Sequence, residues 1–160
     1  MEHRDILSAG IIGFGALLLL FLISPVINPS GSFLGLDGSP AVMDHGWTGI
    51  TGFGYMLGDI LCHQEASRCF VVNGNQMPIC IRDLGLLIGL VTGLVVCRLM
   101  EERLSEKGVP SVGLILVAIT GIEWLAESFT GDMPMPRFLS GIAAGIGAAL
   151  ILGWLLYREK

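Results

Sequence analysis

The first long apolar segment of the chain is ILSAGIIGFGALLLLFLISPVI, Ile6–Ile27, which has 22 residues and no charged one. An α-helix rises about 1.5 Å per residue, so this segment covers roughly 33 Å, enough to cross the hydrocarbon core of a bilayer. The run is longer than the apolar region of a signal peptide, and the residues before it are not net basic. The sequence therefore predicts a transmembrane helix here.

Three further segments have the length or composition of spanning helices. Phe138–Tyr157 is uncharged, and Val109–Phe129 is equally long but carries two glutamates. Leu84–Cys97 is short, so a span there must include charged residues at its ends. The segment 47–61 is apolar, short and glycine-rich, which favours an interfacial or re-entrant helix. We predict one all-α membrane domain over residues 1–160, with four transmembrane helices at about 6–27, 82–99, 109–129 and 138–157.

Composition places the chain among integral membrane proteins. Its 160 residues are 52% hydrophobic and 14% charged, and the mean hydropathy is +0.73. Soluble domains carry about 25% charged residues. The net charge of −5 argues against nucleic-acid binding, which needs a basic surface. The expected partner is membrane lipid.

Basic residues predict the orientation of the spans. With four spans, one side of the membrane carries Arg4, Arg98, Arg103, Lys107, Arg158 and Lys160, and the other carries Arg68, Arg82 and Arg137. Lysine and arginine accumulate on the cytoplasmic side. We therefore expect a protein of the cell membrane with both termini in the cytoplasm and the loop 62–83 on the outer face.

The loop 62–83 contains three of the four cysteines. Its pattern is C-H-x5-C-x10-C-x2-D, formed by Cys62, His63, Cys69, Cys80 and Asp83. Thiolate, imidazole and carboxylate groups bind zinc, with iron as the second candidate metal, although the spacing matches no standard zinc finger. A structural disulfide and thiol redox chemistry remain open, because an outer face is oxidising. Cys97 lies apart and is expected to be an inert buried thiol.

Four charged residues fall at the same end of the predicted bundle as this loop. Glu123 and Glu127 are spaced i, i+4, so they project from one helix face. Arg82 and Arg137 begin two of the other spans. Charged residues within spans are costly and mark reaction sites or pathways, while a structural ion-pair cluster is the alternative. We predict that one glutamate acts as a general base and that the arginines bind an anionic group.

Small residues recur every four positions in two of the predicted spans. They are Gly85, Gly89 and Gly93 in the second span, and Gly141, Gly145, Ala149 and Gly153 in the fourth. Such ridges let helix backbones approach closely. Packing of these two helices within the chain is favoured, and a homo-oligomer through the same faces is the alternative.

The motif residues resemble those of a known family. The matching positions are Cys62-His63-Gln64, Arg68, Phe70, Gly74-x-Gln76-x-Pro78-x-Cys80-x-Arg82-Asp83-x-Gly85, Glu127-Ser128 and Arg137-x3-Gly141. Over roughly residues 55–145 the chain is similar to the uncharacterised membrane proteins of the DUF2085 family. The resemblance implies a multi-pass membrane protein without an agreed activity. It also makes Cys69, which replaces a common serine, a weaker ligand than Cys62, His63 and Cys80.

These observations together predict a metal-dependent membrane enzyme that acts on a lipid or another membrane-embedded substrate. Two other classes remain open. One is an ion or metal transporter or channel subunit, against which the cytoplasmic halves of the third and fourth spans contain no charged residue. The other is a non-catalytic membrane scaffold with a structural disulfide.

Overall fold

The computed structural model describes residues 3–38, 40, 52–131 and 133–158, and most of these residues are helical. The helices are α1 (His3–Ile27), α2 (Phe53–Leu61), α3 (Ile81–Leu99), α4 (Gly108–Thr130) and α5 (Pro134–Tyr157). Between α2 and α3 the strands β1 (Val71–Val72) and β2 (Asn75–Gln76) pair antiparallel. Short 3-10 turns occupy Ala66–Arg68 and Glu101–Arg103.

Among the described residues, three helices, α1, α4 and α5, are long and apolar enough to cross a membrane. Helix α3 has 19 residues but includes Arg82, Asp83 and Arg98, so its charge density exceeds that of the other three. The helical membrane class is thus confirmed, and the fourth span stays a prediction. Helix α2 forms within the predicted segment 47–61, of which residues 47–51 lie outside the described part of the chain.

The chain divides into two compact units, one made of Met1–Ala16 and Leu84–Lys160 and the other of Leu17–Asp83. The first unit contains an apolar core of Leu7, Leu94, Cys97, Leu104, Ala149 and Tyr157. Within it the Cys97 thiol is fully buried and donates to the carbonyl of Ala149 over 3.4 Å. Cys97 is therefore a packing residue of this core.

Glycines allow α3 and α5 to pack closely within the first unit. A Cβ atom at Gly145 would clash with the carbonyl oxygen of Leu86, and one at Gly89 would clash with the carbonyl oxygen of Ile142. Backbone atoms cannot move aside as side chains do, so only glycine fits at these crossings. The four-residue spacing thus packs two helices of the same chain, and the homo-oligomer stays a prediction.

A short turn joins α4 to α5 and makes them an antiparallel pair. Gly131 ends α4 with a φ of 81°, a conformation that favours glycine. Pro134 begins α5, where its missing N–H leaves no helical hydrogen bond unmade. This turn brings residues near the end of α4 opposite those at the start of α5.

In the second unit a β-hairpin caps the end of α1. Asn73 and Gly74 form its two-residue turn, with φ values of 52° and 68°. The Asn75 side-chain amide donates to the carbonyls of Pro25, Asn28 and Pro29 at 3.0, 3.3 and 3.0 Å. The last carbonyls of a helix have no partner within it, so Asn75 supplies the missing donors. The hairpin that precedes Cys80 is thereby held to α1.

Candidate metal centre

Three ligand-type side chains of the second unit converge on one point. The Sγ atoms of Cys62 and Cys80 and a carboxylate oxygen of Asp83 all lie within 4.8 Å of one another. In the part of the chain that the structure describes, this is the only group of three such side chains. A tetrahedral zinc ion with Zn–S bonds of about 2.3 Å holds two sulfurs roughly 3.8 Å apart. The three side chains are therefore close enough to share one ion.

The cluster forms where α3 begins. Cys80 directly precedes α3, and Asp83 is the third residue of that helix. The backbone N–H of Asp83 donates to the Cys80 sulfur over 3.5 Å, and the Cys80 thiol donates to Oδ2 of Asp83 over 3.1 Å. Such reciprocal contacts across four residues are typical of a helix N-cap. The same local geometry that starts the helix thus places a sulfur beside a carboxylate.

Cys62 reaches the same point from the end of α2. Its backbone is extended, with φ −140° and ψ 150°, and its N–H donates to the Gly58 carbonyl over 2.8 Å. Its buried sulfur accepts the backbone N–H of Cys80 over 3.3 Å. Both cysteine sulfurs therefore accept backbone N–H groups, an arrangement that orients and stabilises thiolate ligands.

The two thiols have opposite pKa shifts. The hydrogen bond with Cys80, followed by burial, raises the pKa of the Cys62 thiol. The same hydrogen bond from Cys62 lowers the pKa of Cys80, and a position at a helix N-terminus acts in the same direction. Of the two thiols, Cys80 therefore loses its proton more readily. Two sulfurs and a carboxyl group this close together form a donor set that suits a metal ion.

Two other predicted ligands lie outside this close group. The His63 side chain is exposed, and its backbone carbonyl accepts the N–H of Gly38 over 2.8 Å. Cys69 is buried and hydrogen-bonded to the Gln76 side chain, and burial raises its pKa to about 12. All four cysteines are free thiols. The ligand roles of His63 and Cys69 stay predictions.

Two buried glutamines, Gln64 and Gln76, hold the loop 62–83 in place. Glutamine is not among the ligand-type residues that predict the site, so the ligand pattern does not mark these two positions. The Gln64 amide donates to the carbonyls of Tyr55 and Pro78 at 3.2 and 2.9 Å. The Gln76 side chain accepts the N–H of Leu36 over 3.0 Å and donates to the Gln64 carbonyl. Pro78 lies two residues before Cys80, so these bonds fix the backbone that carries the sulfur. Both glutamines belong to the quoted family motif, which is the signal in the sequence that marks them.

The predicted carboxylate and arginine residues occur mainly in the first unit. Arg137 donates from Nε to Oε1 of Glu127 over 2.7 Å, with side-chain exposures of 4% and 10%. Oε2 of Glu123 accepts the Ser140 hydroxyl over 3.0 Å. Arg82 belongs to the second unit, in the first turn of α3, and is half-buried. The structure therefore pairs Glu127 with Arg137, and the catalytic roles of these four residues stay predictions.

A serine and a threonine that the sequence does not mark extend this polar contact. Ser140 lies one turn after Arg137 on α5, and its carbonyl accepts the Thr120 hydroxyl over 2.7 Å. Thr120, Glu123 and Glu127 share one face of α4, because they are spaced by three and four residues. Hydrogen bonds between these polar groups thus connect α4 to α5 near the turn that joins the two helices.

The fold and the cluster together define a helical integral membrane protein with a thiol and carboxylate group at a helix end. A family model described as "Predicted membrane protein (DUF2085)" matches residues 62–151, and the chain belongs to that family. A similar curated protein is an uncharacterized protein of Methanocaldococcus jannaschii, 27% identical over 134 residues that cover 79% of this chain and 80% of the relative. No solved structure matches the chain.

Proposed function

We propose that this membrane protein binds zinc through Cys62, Cys80 and Asp83 and acts as a metal-dependent enzyme on a lipid or membrane-embedded substrate. The observation that carries the proposal is the approach of the three ligand atoms to within 4.8 Å. Iron is the second candidate metal, since thiolate and carboxylate ligands also suit it.

The number of ligands favours catalysis over a purely structural site. Structural zinc sites are closed by four protein ligands, whereas catalytic sites use three and leave one position open. The close group contributes three side chains. When bound at such a site, zinc supplies a Lewis acid that polarises a substrate oxygen. The chain's own contribution is to hold the two sulfurs in place through the N–H groups of Cys80 and Asp83.

The proposed topology has four spans, both termini in the cytoplasm, and the metal centre at the outer face. Its support is the six-to-three distribution of basic residues. Helices α1, α4 and α5 satisfy the requirement for spanning length and apolarity. A fourth span at α3 gives an even number of crossings and puts both termini on one side.

The scaffold alternative also has a specific observation in its favour. The buried Glu127–Arg137 pair and the Ser140 contact to Glu123 hold α4 and α5 together, and such networks occur without any catalytic role. A scaffold of this kind does not require metal, so metal content separates the two proposals.

The deciding experiment is the metal content of the detergent-purified protein, measured by mass spectrometry after exposure to zinc and removal of the excess. We expect about one zinc per chain in the wild type and in Cys97→Ser, and none in Cys62→Ser. Cys97→Ser is the matched control, because Cys97 is a buried thiol of the other unit. A wild-type protein without zinc or iron, or a Cys62→Ser variant with full metal content, contradicts the proposal.

A further inference from the structure

Cys62 and Cys80 are free thiols that are hydrogen-bonded to each other within the cluster. Two sulfurs this close can bind one metal ion together or form a disulfide bond, and each of these excludes the other. We infer that the Cys62–Cys80 pair is a redox gate on the metal centre, and that its oxidation to a disulfide by a hydroperoxide releases the metal. This inference rests on the proposed metal site.

The positions of the two cysteines permit disulfide formation. Their sulfurs lie within 4.8 Å of each other, and a disulfide requires about 2.05 Å. Cys62 follows the last residue of α2, and Cys80 precedes the first residue of α3. Because both lie just outside the helices, the remaining approach involves residues at the helix ends and leaves the interiors of α2 and α3 in place. The Asp83 carboxylate then remains as the one ligand of the close group, which is too few to retain the ion.

Disulfide formation needs one sulfur that attacks the oxidant and a second sulfur that attacks the first. The two cysteines differ in exposure in a way that suits these two roles. Cys80 is half-buried and therefore the more accessible of the two, and its sulfur accepts the N–H of Asp83 at the start of α3, so it is the sulfur that attacks the oxidant. Cys62 is 4% exposed and lies against Cys80, so it is the thiol that resolves the intermediate. Cys69 is buried, hydrogen-bonded to Gln76 and outside the close group, so it takes no part in the reaction.

The chemistry balances with hydrogen peroxide as the oxidant. The Cys80 thiolate attacks the O–O bond, an S–O bond forms, and the leaving oxygen departs as water after protonation. The Cys62 sulfur then attacks the Cys80 sulfur, the S–S bond forms, the S–O bond breaks, and a second water leaves. Overall, two thiolates lose two electrons, hydrogen peroxide gains them with two protons from solvent, and a metal ion that the two sulfurs held would lose both of these ligands.

The test uses the full-length chain in detergent, reduced and loaded with zinc, with its zinc content measured first. Hydrogen peroxide is then added, zinc release is followed with a chromogenic chelator, and free thiols are counted. We expect release of about one zinc and loss of two thiols per chain in the wild type, Cys69→Ser and Cys97→Ser. Mass spectrometry of an unreduced digest is expected to show a Cys62–Cys80 link, and a dithiol reductant restores zinc binding.

The outcomes separate failure of the gate from failure of the metal site. If the reduced protein binds zinc but peroxide leaves it bound, or if the new disulfide contains Cys69, the gate is wrong and the metal site stands. If the reduced protein binds no zinc before peroxide is added, the proposed metal site is wrong. The proposed redox gate, which depends on that site, is then wrong as well.

Discussion

Arg137 on α5 donates its Nε hydrogen to Oε1 of Glu127 on α4 over 2.7 Å, and both side chains are nearly buried. Removal of one partner from a buried ion pair is costly, because the other charge keeps its desolvation penalty. Glu127 and Arg137, which the sequence predicts as site residues, therefore also stabilise the packing of α4 on α5.

We predict that Glu127→Gln lowers the free energy of unfolding by about 3 kcal/mol or more, the range for a broken buried pair. Unfolding is to be measured by circular dichroism during titration of the detergent-solubilised protein with a denaturing detergent. Glu106→Gln, at an exposed position, is the matched control and is expected to change stability by less than about 0.5 kcal/mol. Equal effects of the two variants would show that the pair contributes nothing specific.

Asp83→Asn tests the carboxylate ligand of the proposed centre. Asparagine keeps the backbone N–H that donates to the Cys80 sulfur, but it removes the negative charge beside that sulfur. We expect zinc affinity to fall by at least about tenfold, as measured by competition with a chelator of known affinity. Asp37→Asn replaces an exposed aspartate of the same unit and should leave the affinity unchanged. Unchanged affinity in Asp83→Asn would remove Asp83 from the ligand set.

Gly145→Ala and Gly121→Ala are predicted to have opposite effects on stability. A Cβ at Gly145 meets the backbone of Leu86 and Leu90, so α3 and α5 must separate, at a cost of about 1–3 kcal/mol. A Cβ at Gly121 has no neighbour within 4 Å, and alanine stabilises a helix by up to about 1 kcal/mol relative to glycine. The same detergent unfolding titration measures both. A destabilised Gly121→Ala together with a neutral Gly145→Ala would contradict the packing of α3 on α5.

Asn75→Ala is predicted to destabilise the second unit. The variant loses three donor contacts to the carbonyls at the end of α1 and an acceptor contact to the N–H of Phe33. The Asn75 side chain is fully buried, so we expect a loss of at least about 2 kcal/mol. Hydrogen exchange of residues 28–36 should also accelerate. Ser67→Ala, which removes an exposed hydroxyl, is the control and should leave exchange unchanged.

Much of the helical architecture follows from the sequence because transfer of apolar surface to lipid is a local property of a segment. Ile6–Ile27 lies within α1, and 138–157 lies within α5. The pairing of Glu127 with Arg137 was also accessible, since a short turn between two spans brings the end of one beside the start of the next. The status of α3 was harder to predict because Arg82, Asp83 and Arg98 fall within it.

The sequence by itself determined the helical membrane class, the family, and the segment that contains the ligand-type cysteines. Apolar runs, family motifs and ligand-type residues are all read along the chain. Only the tertiary structure decided that Cys62, Cys80 and Asp83 converge while His63 and Cys69 remain outside the close group. Cys80 follows Cys62 by 18 positions along the chain, and no helical period relates the two. The buried bonds of Gln64 and Gln76 and the helix start at Ile81 bring the two sulfurs together, and those contacts exist only once the chain has folded.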